Sequence, residues 1–264
     1  MTDRRASTRV LKLAALGFSG ALLGLATMAV VGVYGARMAG IDPIRYSDGE
    51  WLPVAGEDAD YAARAAGAAF KDTQEFWSRR FRTELGRAYR SAGLVYFTAA
   101  TPSPCAGASN AAGPFYCYIT ETVALDLTFL DLIGGRMFYR GDAGMALMVA
   151  RIAAVHVQGQ LGALEELRRA GRGATGAQMR SLELEAALQA DCLTGVWAHH
   201  AADWVAKVEA SFYGQLILSA REVNRGRPND TVEPDPALLG PGTQDQRAAA
   251  FAKGRNAGAI AVCR

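Results

Sequence analysis

Apolar side chains at Met145, Met148, Ile152 and Val155 recur at spacings of three and four, which puts them on one face of a helix. The stretch from Leu147 to Gln158 reads LMVARIAAVHVQ and is apolar enough to be buried. Asp142 stands where the helix start would be capped, and Gly162 where its end would fall. Arg151 interrupts the run one position before Ile152. A guanidinium among apolar neighbours is costly without a partner, so something elsewhere in the chain must meet it.

The same periodicity predicts a helix from about Glu57 to Leu85, with a stripe of Phe70, Trp77, Phe81 and Leu85. Arg79, Arg80 and Arg82 fall largely off that stripe and read as a solvated edge. Leu94 to Ala100 and Thr122 to Leu127 read as strands. Thr128 is expected to cap a short helix ended by a glycine pair. A long helix runs from about Thr175 to Val208, with Leu184, Leu188, Cys192 and Val196 four apart and Asp191 beside them. Another covers Phe212 to Arg225, and a proline-rich loop follows. Thr243 and Gln246 form a capping box for the last helix. The order is α+β, dominated by helix with a small sheet.

Composition narrows the picture. A net charge of +2 over 264 residues is too small to argue for nucleic acid as a partner. Leu13 to Ala36 carries no charge and is long enough to cross a bilayer. Arg4, Arg5, Arg9 and Lys12 precede it, which keeps the N-terminus in the cytoplasm and exports the rest. The rival reading is a cleaved signal peptide, with Ala26 or Ala36 near the cut. The expected division is therefore residues 1–12 cytoplasmic, 13–36 membrane-spanning, 37–56 a linker, and 57–264 one extracytoplasmic domain in a single-pass inner-membrane protein. Cys105, Cys117, Cys192 and Cys263 would then lie in an oxidising space, where three pairings are open. A Cys105–Cys117 bond closes the shortest loop and is the cheapest geometrically; Cys192 would then pair with Cys263.

Several segments carry a resemblance. GPFYC at Gly113 to Cys117, followed by TVALDLTFLD, then LQADCLTGVW at Leu188 to Trp197, and GTQDQR at Gly242 to Arg247, together resemble the neutral zinc metallopeptidase family of bacteria. The resemblance implies a single-pass membrane protein with a zincin-like domain. It also implies an HExxH helix, whose two histidines hold zinc while the glutamate acts as base on the bound water. A glutamate on a later helix would be the third ligand, and an aspartate four residues on would orient a ligand histidine.

The chain departs from that pattern where it matters. The family's A-H-E-x-G-H-H-V-Q falls on ARIAAVHVQ. Arg151 replaces the first ligand histidine, Ile152 the glutamate, and Val155 the second histidine. Ala187 replaces the third ligand, and Pro241 the histidine before the glycine–threonine pair. Asp191, His156 and Gln158 remain. An arginine has no lone pair to offer a metal, isoleucine cannot take a proton from water, and valine and alanine coordinate nothing. Zinc is therefore expected to be lost, and with it any cofactor. Arg151 occupies the position whose imidazole would have met Asp191, so an Arg151–Asp191 ion pair is expected, with escape of Arg151 to solvent as the alternative.

No second chemistry competes strongly. His156, His199 and His200 lack ligand spacing and read as packing or surface residues. No serine lies in a G-x-S-x-G, and AGRGATG lacks the lysine of a phosphate loop. The expectation is a membrane-anchored, catalytically inactive relative of a zinc metallopeptidase. It would work by holding a peptide or protein, for which edge pairing along Thr122 to Leu127 is the expected mode, or as an accessory subunit beside other membrane proteins. The alternatives are an active metallopeptidase or other hydrolase with a relocated site, and a purely structural envelope protein.

Overall fold

A computed structural model of the chain describes residues 56–98, 100–102, 105, 110–133, 142–201, 205–225, 231–232 and 240–264. The chain divides between Glu50 and Trp51, and everything described lies in the second unit. The proposed cytoplasmic segment, membrane helix and linker fall outside the described residues, save Gly56. Among those described, no single helix is long and apolar enough to cross a membrane.

Helix α1 (Gly56–Leu85) buries Phe70, Phe76, Trp77 and Phe81. Strands β1 (Gly93–Phe97), β2 (Ala100–Pro102), β3 (Asn110–Ala112), β4 (Phe115–Cys117) and β5 (Thr122–Asp126) follow. Then come the short α2 (Leu127–Asp131) and the central α3 (Asp142–Leu161), which turns into α4 (Ala163–Gly171). The long α5 (Gly176–His200), α6 (Ala210–Arg225), β6 (Thr231–Val232), α7 (Gln244–Ala257) and a 3-10 turn at Ile260–Cys263 complete the order. The architecture is α+β and mostly helical.

Two small sheets form, in the orders β1-β5-β4 and β2-β3-β6. β5 runs parallel to β1 and antiparallel to β4. It is thus an interior strand, and edge pairing of a peptide along Thr122 to Leu127 is excluded: both of its hydrogen-bonding sides are taken. Its side chains split between faces, as the period of two requires. Val123 and Leu125 enter the main core, while Ala124 packs with Phe115 and Cys117.

Helix α3 is the buried helix that its apolar run predicts. Every residue from Gly144 to Gln158 is buried, so the apolar stripe is only part of a helix covered on all sides. Asp142 lies in its first turn and accepts a hydrogen bond from the Tyr61 hydroxyl. Gly162 ends it with φ 87°, a left-handed geometry that suits glycine.

Other boundaries move for local reasons. Asp126, not Thr128, caps α2 by accepting from the Phe129 amide. The long helix stops at His200 rather than Val208. Arg80 is no solvated edge: it is half-buried, pairs with Glu84, and donates to the Gly258 carbonyl at 2.6 Å. Glu84 in turn accepts from the Ile260 amide at 2.8 Å, so this pair docks the C-terminal turn. The expected capping box at Thr243 with Gln246 forms, and a second closes at Thr175 with Gln178.

Helices α5 and α7 touch backbone to backbone. A Cβ on Gly195 would lie 2.0 Å from the Phe251 carbonyl oxygen, and one on Gly254 1.8 Å from that of Cys192. Only glycine permits this approach. Disulfides join Cys105 to Cys117 and Cys192 to Cys263, the second tying the chain end to α5.

Candidate functional site

Asp191 lies on α5 with no exposed surface. Three side chains from three other helices reach it. Arg151 of α3 donates from Nε to Oδ1 at 2.7 Å. Arg247 of α7 donates from Nη1 to Oδ2 at 2.9 Å. The Tyr213 hydroxyl of α6 donates to Oδ1 at 2.7 Å. Both arginines are fully buried, so Arg151 does not escape to solvent. Such charge-assisted contacts are the strong class of hydrogen bond, and here two cations share one carboxylate.

The surroundings hold the cluster in place. Arg151 Nη2 donates to the Ala187 carbonyl at 3.2 Å. Ala187 lies one turn before Asp191 on the same helix, and its side chain is only a methyl group. Arg247 Nη2 donates to the carbonyls of Gly240 and Pro241, the latter at 3.0 Å, and so fixes the loop that enters α7. Tyr213 stacks on Phe251 with ring centroids 4.3 Å apart. Burial, and then the nearby Asp191 charge, push the Tyr213 hydroxyl well above its usual range, so it stays protonated as a donor.

The structure thus brings Arg151, Ala187 and Asp191 together, and draws in Pro241 through Arg247. Ile152 and Val155 are buried in the apolar core of the same helix. Sequence reasoning missed Arg247 and Tyr213. One signal was available for Arg247: it closes the GTQDQR segment in the first turn of a helix, where a cation is disfavoured unless something holds it.

The histidines serve packing. His156 is fully buried and meets the Arg90 carbonyl from Nε2 at 2.7 Å and the Tyr116 hydroxyl from Nδ1 at 2.9 Å. The Gln160 amide nitrogen lies 2.7 Å from the same Nε2. His199 and His200 are exposed and contact the carbonyls of Arg255 and Gly258.

A sequence profile for the family described as "Putative neutral zinc metallopeptidase" matches residues 3–264. The chain belongs to this family. It is similar to the uncharacterized protein YpfJ of Escherichia coli K12, 28% identical over 273 residues that span 99% of this chain and 93% of YpfJ. A shorter similarity, 33% over 106 residues, relates it to the uncharacterized proteins Mb2605 of Mycobacterium bovis and Rv2575 of Mycobacterium tuberculosis H37Rv. It covers 40% of this chain and 34% of each of them. No solved structure matches.

The zinc that the family's name implies does not fit the residues present. A catalytic zinc takes three protein ligands with lone pairs to give. Around Asp191 stand two guanidinium groups and a protonated phenol, all of them donors. Asp191 itself already accepts from all three. Among the described residues, no group of three histidine, cysteine, aspartate or glutamate side chains is placed to hold a metal.

Proposed function

We propose that this chain is a metal-free, catalytically inactive member of the zinc metallopeptidase family that acts by binding. In this reading its N-terminal apolar segment anchors it in the bacterial inner membrane. The helical domain, zincin-like in its order of small sheet, buried motif helix and later helix carrying Asp191, faces the extracytoplasmic side. There it holds a peptide or protein partner, or serves as an accessory subunit of a membrane complex.

One observation carries the proposal: the carboxylate of Asp191 is neutralised by Arg151 and Arg247 at 2.7 and 2.9 Å with every member of the trio fully buried. In the parent chemistry a second-sphere carboxylate steadies a histidine bound to a cation. Here a fixed guanidinium takes the place of both histidine and metal, and no residue at Ile152 can act as a base. Two disulfides suit an oxidising compartment.

Metal content and hydrolysis test it together. The full chain, purified without chelator and then supplied with zinc, is expected to retain no stoichiometric zinc and to show no chelator-sensitive cleavage of unfolded protein. Stoichiometric zinc with cleavage abolished by chelator would overturn the reading. A pull-down with the intact chain from membranes would then name the partner.

A further inference from the structure

Helices α1 and α3 run the same way. The Tyr61 hydroxyl, in the second turn of α1, donates to Asp142 in the first turn of α3. Arg87, just beyond the end of α1, donates to the Gln160 carbonyl near the end of α3 at 2.8 Å. The domain therefore has two ends, about 30 Å apart by the rise of a 20-residue helix. The chain enters at the first of them, where the described residues begin with Gly56.

Large apolar side chains stand exposed at both ends, in different company. Tyr118 belongs to the far end and is 51% exposed. The Arg168 guanidinium of α4, the helix that follows α3, lies over its ring at 4.3 Å, and the last turns of α1 present Arg79 and Arg82 to solvent. At the entry end Tyr61 is 47% and Tyr96 41% exposed. Tyr96, from β1, lies across α1 and donates to the Ala63 carbonyl at 3.2 Å. It passes over Gly67, where a Cβ would come within 2.6 Å of its hydroxyl oxygen. Both hydroxyls are held by acceptors of the protein itself, which fixes the two rings on either flank of α1.

The residues before Gly56 say what those rings face. Residues 37–55 join Gly56 to the uncharged run that ends at Ala36. A segment of that length spans at most about 65 Å, so the entry end is tethered to any membrane that holds the run, at high local concentration. The segment carries Tyr46 and Trp51, residue types that settle at the headgroup level, as do tyrosine rings such as those of the domain. Between Arg37 and Arg64 acidic residues outnumber basic ones six to three, the reverse of the basic flank before the run. That balance suits a neutral headgroup better than an anionic one.

We infer that the entry end of the domain rests on a zwitterionic phospholipid surface, with the rings of Tyr61 and Tyr96 in the headgroup layer. The inference rests on the anchored reading proposed above. It gives the domain one orientation: Tyr118 and the exposed arginines of the far end face the aqueous side, where a protein partner has access.

The probe is phosphatidylcholine, in vesicles that hold the reconstituted full chain. The light-activated cross-linker p-benzoylphenylalanine, close to tyrosine in shape, replaces Tyr61, Tyr96 or Tyr118 one at a time. On irradiation the first two positions are expected to gain the mass of one phospholipid, and the third is not. Should the larger side chain disturb folding, hydroxyl-radical labelling of the unsubstituted chain in vesicles decides. Tyr61 and Tyr96 should then be labelled several-fold less than Tyr118, although all three are similarly exposed in the protein. An alkaline carbonate wash separates the two readings. A chain that withstands the wash but takes no lipid at either entry-end position overturns this inference and leaves the anchor standing. A chain released by the wash overturns both. Equal lipid gain at the Tyr118 position, cross-links from the entry end to a second copy of the chain, or a yield that rises when phosphatidylglycerol is mixed in would each overturn it as well.

Discussion

Arg151 and His156 lie on the same buried helix, five residues apart, and neither has any exposed surface. The fold treats them in opposite ways. Around Arg151 it keeps the charge and supplies Asp191, with Arg247 and Tyr213 closing the cluster. Around His156 it removes the charge. Burial holds the imidazole below its usual value, against the raising effect of the Arg90 carbonyl, and its partners are neutral groups. Gln160 completes that network by donating to the same carbonyl at 2.7 Å and accepting from the Arg90 amide at 3.0 Å. The contrast follows from chemistry: a guanidinium cannot give up its proton, so its burial demands an anion, whereas an imidazole can be buried neutral.

The largest break in this contrast comes from the carboxylate. Asp191→Ala strands two buried guanidinium groups, and we expect a loss of about 5 kcal/mol, the upper end for a broken buried pair, read by denaturant unfolding. Arg151→Met should cost about 3 kcal/mol, because Arg247 and Tyr213 still neutralise and bond the carboxylate. An unchanged melting temperature for this variant would argue that the pair contributes nothing. Tyr213→Phe removes a single donor and should cost about 1.5 kcal/mol, with the stack on Phe251 intact.

Smallest is the acid response of His156. Its folded pKa lies below the unfolded value of about 6.5. Its contribution is therefore full above that pH and is lost as pH falls through the folded value. Unfolding measured between about pH 7 and 5 should show the slope, and His156→Gln should flatten it. Arg90 holds the Glu121 carboxyl low, but that group acts below its own ordinary value of 4.5, outside this window. Replacing Arg151 should leave the slope as it is; a change would mean that the two networks are coupled along α3.

How much of this could be read in advance depends on distance along the chain. The capping box at Thr243 was legible because it is closed by a residue three positions away; the same signature at Thr175 and Gln178 went unread. Arg151 and Asp191 were named as partners from the motif segments in which they sit, 40 residues apart. Arg247 and Tyr213, 56 and 22 residues from Asp191, were not named, since nothing in their own segments marks either as its neighbour. The position of β5 between β1 and β4 was equally hidden. An interior and an edge strand of five residues have similar apolar content, and only pairing distinguishes them.

By itself the amino-acid sequence determined that Arg151, Val155 and Ala187 have no lone pair to give a metal, because coordination depends on which atoms a side chain owns. It also determined where most helices start and stop, since caps and periodicity are local. The tertiary structure alone decided that Asp191 answers two arginines rather than one, and that β5 lies between β1 and β4. Those outcomes come from elements distant in sequence being pressed together, at glycines such as Gly195 and Gly254 where backbones meet. A burial penalty for charge or amide exists only once that contact has formed.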